Sequence, residues 1–387
     1  MATIVSDPVQ LAQALIRCES VTPAEGGALT VLEGWLSAAG FDVVRMVFSE
    51  PGTADVENLY ARIGTARPNF CFAGHTDVVP PGDLSQWGHP PFAAVIADGV
   101  LFGRGAVDMK GAIACFVAAA LDHLAAHGGQ PKAGSISLLI TGDEEGASIN
   151  GTAKLLDWLQ ARGERLDFCL VGEPTNPKAV GDEIKIGRRG SLNVAVTVKG
   201  RQGHAAYPEL ADNPVPKLAR IVAELSDLKL DMGSPHFAPS NIEVCVIGCS
   251  SAATNVIPAQ ANAAFNVRYN SNWQRPTIEA HVAATLERMA EAIGAELEVS
   301  FSGTGDVFLT APGPFVTRVT DAVEAVTGRK PALTTAGGTS DARFIQAYCP
   351  VVEFGLTNAT IHAINENTPI KDLYLLRDVY RAMLERA

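Results

Sequence analysis

Long apolar runs, paired-cysteine motifs and an excess of basic charge are all missing from this 387-residue sequence. The longest apolar stretch, Ala112 to Leu121, is too short to span a bilayer. The seven cysteines are odd in number, form no C-x-x-C, and fall mostly in apolar segments, as Cys71, Cys115 and Cys169 do. Free thiols in a reducing cytoplasm account for them most simply. The opening residues, MATIVSDPVQ, hold no basic region followed by an apolar core, so no secretory leader is expected. A formal net charge of −12 argues against nucleic acid or an anionic membrane as partner. A small anionic substrate would need a local cluster of Arg or Lys.

What is present reads as ordered and globular, with 47% hydrophobic and 19% charged residues. The length exceeds what one compact core usually organises, so two domains are expected. A first helix opens at Ser6 or Asp7, with Pro8 suited to the first helical position. Apolar strands are expected at 70–73, 135–141, 168–171 and 351–354, with helices between several of them, for example at 112–127 and 151–162. Apolar strands alternating with helices predict a mixed, mainly parallel α/β sheet covered by helices. From about Ser191 to Ser302 the pattern changes to half-exposed strands in the order β-α-β-β-α-β, a ferredoxin-like unit. The expectation is a discontinuous catalytic domain (1–187 and 304–387) with an inserted lid or dimerisation domain (188–303).

The residues that follow the apolar strands carry the chemistry. The first strand ends in His75 and Asp77. The next runs into Asp143, Glu144 and Glu145, and another into Glu173. The late strand leads to Asn358, Thr360 and His362. Asp108, in GRGAVDMKG, stands just before a helix. Ligands bind at the carboxyl ends of strands in such sheets, so five loops deliver imidazoles and carboxylates to one edge. Mixed His and carboxylate donors suit zinc, with cobalt or manganese as alternatives. Each residue alone has an ordinary reading: a core histidine, a solvated acidic turn, a helix cap. Together, several buried carboxylates without cations would be very costly.

Six segments in order, GHTDVVPPGD, GRGAVDMKG, TGDEEG, VGEPT, GGTSDARF and NATIHAINE, resemble the di-zinc amidohydrolase family, which includes aminoacylases and acetylornithine deacetylase. The resemblance covers nearly the whole chain, with GRRGSL and GHAAYPELADNP in the insert. It implies two Zn(2+) per subunit, with Co(2+) or Mn(2+) able to substitute. Asp108 would bridge them, His75 and Glu173 completing one site, Glu145 and His362 the other. Glu144 would be the general base. Asp77 would orient His75, because residues i and i+2 of an extended segment point to one side.

His204 would reach across a homodimer formed by the insert and help hold the partner site's oxyanion. The implied substrate is a small anionic N-acyl amino acid, succinylated by preference, with acetylated amino acids or dipeptides as alternatives. Arg188, Ser191, Tyr207, Asn255, Arg268, Thr339 and Asn358 are its candidate contacts, the arginines because guanidinium forks suit carboxylates. The same arginines also read as surface ion pairs. VIGCSSAATNVIP departs from the family's glycine-rich turn, and His89 has no assigned role. A non-catalytic binder would have lost the base or a ligand, and neither is missing.

Overall fold

The computed structural model describes residues 6–386 and divides into two compact units. The first takes the chain up to Ile186, Thr310–Thr334 and from Ser340 onward. Its eight-stranded sheet has the order Asp42–Phe48, Val56–Ile63, Ser135–Thr141, Asn69–His75, Phe168–Val171, Val351–Glu353, Glu183–Lys185, Ala332–Thr334. The four strands from Ser135–Thr141 to Val351–Glu353 are parallel. Asn69–His75 and Ser135–Thr141 are buried at every residue, as strands covered on both faces must be.

Strand alternation shows the two covered faces. Phe72 stacks on Phe116 of helix Lys110–Ala126, with ring centroids 4.3 Å apart, and meets Tyr380 of helix Ile370–Leu384 edge-on. The opposite face carries Ala73, its register partner Leu139, and Tyr60 beyond it. Tyr60 meets Trp158 of helix Thr152–Ala161. The first helix, Pro8–Ile16, starts as expected: the Asp7 carboxylate accepts the Val9 N–H at 2.9 Å, and Pro8 takes the first turn. Among the strands that the sequence pattern does not predict, Asp42–Phe48 and Val56–Ile63 form an antiparallel edge beside the parallel core. Their apolar and polar residues mix, which hides them among loops at the level of pattern.

The second unit is Gly187–Leu309 with Thr335–Thr339. Its four-stranded antiparallel sheet has the order Asn241–Cys249, Gln260–Tyr269, Gly190–Lys199, Glu296–Gly305. Helices Pro214–Asp227 and Arg275–Ile293 complete the β-α-β-β-α-β order. Leu192, Val194, Val196 and Val198 all point into its core, with Leu218, Ile221, Ile278 and Leu286 from the two helices. Asn241–Cys249 is an edge strand, and Val246 and Ile247 on it are 51% and 60% exposed.

Candidate metal centre and active site

The parallel strands of the first unit end together, and their following residues meet. Gly355 allows one close approach: a Cβ there would stand 2.4 Å from the carbonyl oxygen of Gly172 and 2.5 Å from that of Glu173. The loop after Ser135–Thr141 is shaped by the Asp143 carboxylate, which accepts the N–H groups of Ser148, Ile149 and Asn150 at 2.9 to 3.1 Å. The sequence alone sets Asp143 beside Glu144 and Glu145 without a role of its own.

Two donor groups share Asp108. His75, Asp108 and Glu173 form one, and Asp108, Glu145 and His362 the other, with the ligand atoms of each within 4.8 Å of one another. Asp108 divides its oxygens between them. Its Oδ1 lies 3.1 Å from His75 Nε2, and its Oδ2 lies 3.0 Å from His362 Nε2. Glu173 Oε1 is 3.8 Å from His75 Nε2, and Glu145 Oε1 is 2.9 Å from His362 Nε2. Asp108 does not cap the helix it precedes: the cap position is Met109, without a side-chain bond. The ordinary reading of Asp108 therefore fails.

His75 is oriented differently from the expectation. Its Nδ1 donates to the backbone carbonyl of Asp77 at 2.9 Å, while the Asp77 carboxylate stands 3.6 Å away. That carboxylate instead accepts the backbone N–H groups of Glu144 and Glu145, at 3.3 and 3.0 Å. The regular strand ends at His75, so the i, i+2 alignment expected within a strand is not imposed on Asp77. Asp77 thus fixes both sides: its carbonyl sets the His75 ring with Nε2 inward, and its carboxylate holds the Glu144–Glu145 turn. Burial raises the Asp77 carboxyl to about 6, against the pull of His75 and the two amide bonds.

The electrostatics of the cluster fit cations. Glu173 is pushed well above the usual carboxylate range by burial and by the charges of Asp108 and Glu144. Glu144 rises to about 8, through burial first, with Asp341, Asp108 and Glu145 adding to it against His75. Burial would raise Asp108 too, but the two imidazoles bonded to it hold it below the usual range. His362 rises to about 10 through its bonds to Asp108 and Glu145. His75 is raised despite burial, chiefly by Asp108. Carboxylates this close push protons onto one another and onto the imidazoles unless positive charge is supplied. Two divalent ions on the two donor groups would supply it, with Nε2 of each histidine already facing inward. Glu144 belongs to neither group. Asp341, a buried neighbour in charge of Glu144, also escaped the sequence reading; it bonds Thr152 at 2.6 Å.

A third group, His123, His127 and Glu385, lies apart from this edge. There His123 Nε2 accepts the Lys132 backbone N–H at 3.1 Å, which leaves Nδ1 to carry the proton it donates to Glu385 at 2.8 Å. A backbone N–H can only donate, so His123 has no lone pair free for a metal. His89 packs on the Phe102 ring and, among the described residues, enters no donor group.

The expected substrate contacts, except Asn358, lie in the second unit. Arg188 is buried and donates to the Ala336 carbonyl at 3.2 Å. The Ser191 hydroxyl accepts from Asn266 at 3.0 Å. Arg268 pairs with Ser191 and Asn241 on the two flanking strands, and, among the described residues, its guanidinium has no hydrogen bond or ion pair. Burial, then the neighbouring Arg189 charge, holds its pKa below the ordinary guanidinium value. His204 is exposed; its Nδ1 accepts the Ala206 N–H at 3.0 Å, leaving Nε2–H as an outward donor. Tyr207, 57% exposed, lies against the His204 ring. Asn255 is exposed and Thr339 partly so. Asn358, in the first unit, is partly exposed on the loop toward His362, its N–H on the Asn176 carbonyl at 2.9 Å.

A family model described as Peptidase family M20/M25/M40 matches residues 71–386. The chain belongs to this family. A succinyl-diaminopimelate desuccinylase of Rhodopseudomonas palustris (strain TIE-1) is 57% identical, over 98% of this chain and 97% of its own. One from Methylorubrum extorquens (strain PA1) is 56% identical, over 98% of each. Among solved structures, an aminopeptidase from Bacillus cereus superposes with a TM-score of 0.79 at 22% identity, covering 99% of this chain and 98% of its own. A dinuclear metal binding peptidase from the M20 family, of Bacillus subtilis, gives 0.71 at 16%, covering 97% and 96%. At these identities the structural likeness is one of fold. The M20 relationship agrees with the resemblance carried by the six motifs. Among the described residues no helix is long and apolar enough to cross a membrane.

Proposed function

We propose that the chain hydrolyses the amide of N-succinyl-LL-2,6-diaminopimelate, the activity for which its relatives from Rhodopseudomonas and Methylorubrum are named. Water adds across the C–N bond and releases succinate and LL-2,6-diaminopimelate, a precursor of lysine and of the cell wall. The observation that carries a two-metal amidohydrolase is Asp108, whose two oxygens each face a different histidine at 3.0 to 3.1 Å. Two Zn(2+) are the proposed cations, with Co(2+) or Mn(2+) able to replace them. When bound, such ions polarise the amide oxygen and lower the pKa of the attacking water.

The chain's own groups do the rest. Glu144 accepts the proton of the attacking water and hands it to the departing amine. Asp77 keeps the Glu144 backbone in place through the amide bonds described above. The His204 Nε2–H is proposed to donate to the oxyanion in the partner subunit of a homodimer. The exposed edge strand Asn241–Cys249 supports such pairing through the insert. Arg268, charged and without a counter-ion among the described residues, supports recognition of a substrate carboxylate. Arg188, Ser191, Tyr207, Asn255, Thr339 and Asn358 are proposed as further contacts. All seven cysteines are free thiols, which supports a cytoplasmic location. Purified protein with added zinc should hydrolyse succinyl-diaminopimelate far faster than acetylornithine; the reverse order would reject the assignment.

A further inference from the structure

Two charged residues lie inside the site's own segments without any role so far: Arg104 in GRGAVDMKG and Glu366 in NATIHAINE. They are 2% and 0% exposed, and Arg104 Nη1 meets Glu366 Oε2 at 2.7 Å. Glu366 gathers three more donors. Its Oε2 accepts the Gly105 N–H at 3.1 Å, and its Oε1 accepts those of Val107 and Asp108 at 2.9 and 3.1 Å. One carboxylate therefore holds the backbone of the residue whose side chain serves both donor groups.

Arg104 reaches the other way. Its Nη2 donates to the His362 carbonyl at 3.4 Å and, at 3.5 Å, to that of Pro80. Its guanidinium also lies over the Trp87 ring. His362 sits at φ +56°, a region that non-glycine residues seldom occupy. A bond to its carbonyl helps keep it there. Buried ion pairs contribute little net stability, since desolvation offsets most of their attraction. What this pair does accomplish is directional: it ties the Asp108 backbone to the His362 backbone through four atoms of two side chains.

We infer that Arg104 and Glu366 are positioning residues that set the placement of Asp108 and His362, and with it the affinity of the cations held there. The inference rests on the two-metal reading above. The two residues divide the work. Glu366 supports Asp108, which belongs to both donor groups; Arg104 Nη2 supports His362, which belongs to one.

Arg104→Lys keeps a charge for Glu366 but loses the fork that reaches His362. Glu366→Gln turns an acceptor oxygen into an amide donor facing N–H groups. The test is a titration of the full-length, chelator-stripped wild type and both variants with Co(2+), followed by calorimetry and visible absorption, with thermal melts of the metal-free proteins alongside. Arg104→Lys should weaken one of the two equivalents about 10- to 100-fold, the size usual for loss of a ligand's supporting bond, and leave the other unchanged. Glu366→Gln should weaken both. Folding damage alone would not separate the two equivalents. Arg104→Lys losing both equivalents alike, or neither, overturns the inference. Should Glu366→Gln not fold, Arg104→Lys decides alone, because it retains the ion pair. A wild type that saturates at one equivalent overturns the two-metal reading itself.

Discussion

Replacing Glu144 by Gln should separate chemistry from metal binding. The side chain keeps its volume and the residue keeps its backbone bond to Asp77, but the amide cannot accept the water's proton. Loss of a general base costs about 100- to 10,000-fold in turnover, roughly 2.7–5.4 kcal/mol in the barrier. Both cations should remain, because Glu144 is in neither donor group.

The same substitution has a second, opposite effect on the metal-free protein. Folding raises the Glu144 pKa from 4.5 to about 8, so the folded state holds that proton more tightly than the unfolded state. Below about pH 4.5 both states are protonated and nothing is lost. Between 4.5 and 8 the unfolded state ionises while the folded state still holds its proton, so stability falls; above 8 both are ionised and the loss is complete. At pH 7 it is on the order of 3 kcal/mol. Metal-free Glu144→Gln should therefore melt higher than metal-free wild type at pH 7, with the gap closing toward pH 4.5. Succinate release, metal content by mass spectrometry and melts from pH 4.5 to 8 in chelator measure all three effects. Two bound cations with near wild-type turnover would refute the role. Melting curves that run parallel across that pH range would refute the electrostatic argument.

Other substitutions separate the remaining roles. His75→Ala and His362→Ala should each remove one cation preferentially, and Asp108→Ala should disturb both, as read by titration calorimetry; unchanged stoichiometry in all three would mean the ligands are elsewhere. Arg268→Ala should lower kcat/KM for the succinylated substrate about ten- to hundred-fold, the worth of a roughly 1.5–3 kcal/mol charged hydrogen bond, with Arg268→Lys recovering only part. Wild-type kinetics in both would dismiss the contact. Mixed dimers of His204→Ala and Glu144→Gln chains should regain activity, at most about half that of wild type, since one site then has both groups and the removed donor is worth about 2.7–4 kcal/mol. Proven subunit exchange without recovery would show that His204 does not act in trans.

Local pattern determined a good deal of this protein. Runs of apolar residues marked the buried strands, because a strand covered on both faces favours apolar side chains, and its few polar ones must find partners, as Ser137 does on Asn69. Alternation along 192–198 marked the half-exposed strand of the second unit in the same way. The residues at and beyond the ends of those strands then named His75, Glu144, Glu145, Glu173 and His362, and Asp108 stood just before a helix. The roles among them came from the family resemblance, since spacing does not distinguish a ligand from a base. Tertiary structure decided what depends on where loops turn back. It gave the His75 ring to the Asp77 carbonyl and the Asp77 carboxylate to the amides of Glu144 and Glu145. It placed Asp143 under its loop, Asp341 beside Glu144, and Arg104 with Glu366 beneath Asp108 and His362. Sequence distance hides such partners: Arg104 and Glu366 are 262 residues apart. Burial periodicity is a property of one segment and can be read along it. A carboxylate's choice among donors is set by which backbone N–H groups the folded chain leaves unpaired nearby, and no single segment contains that information.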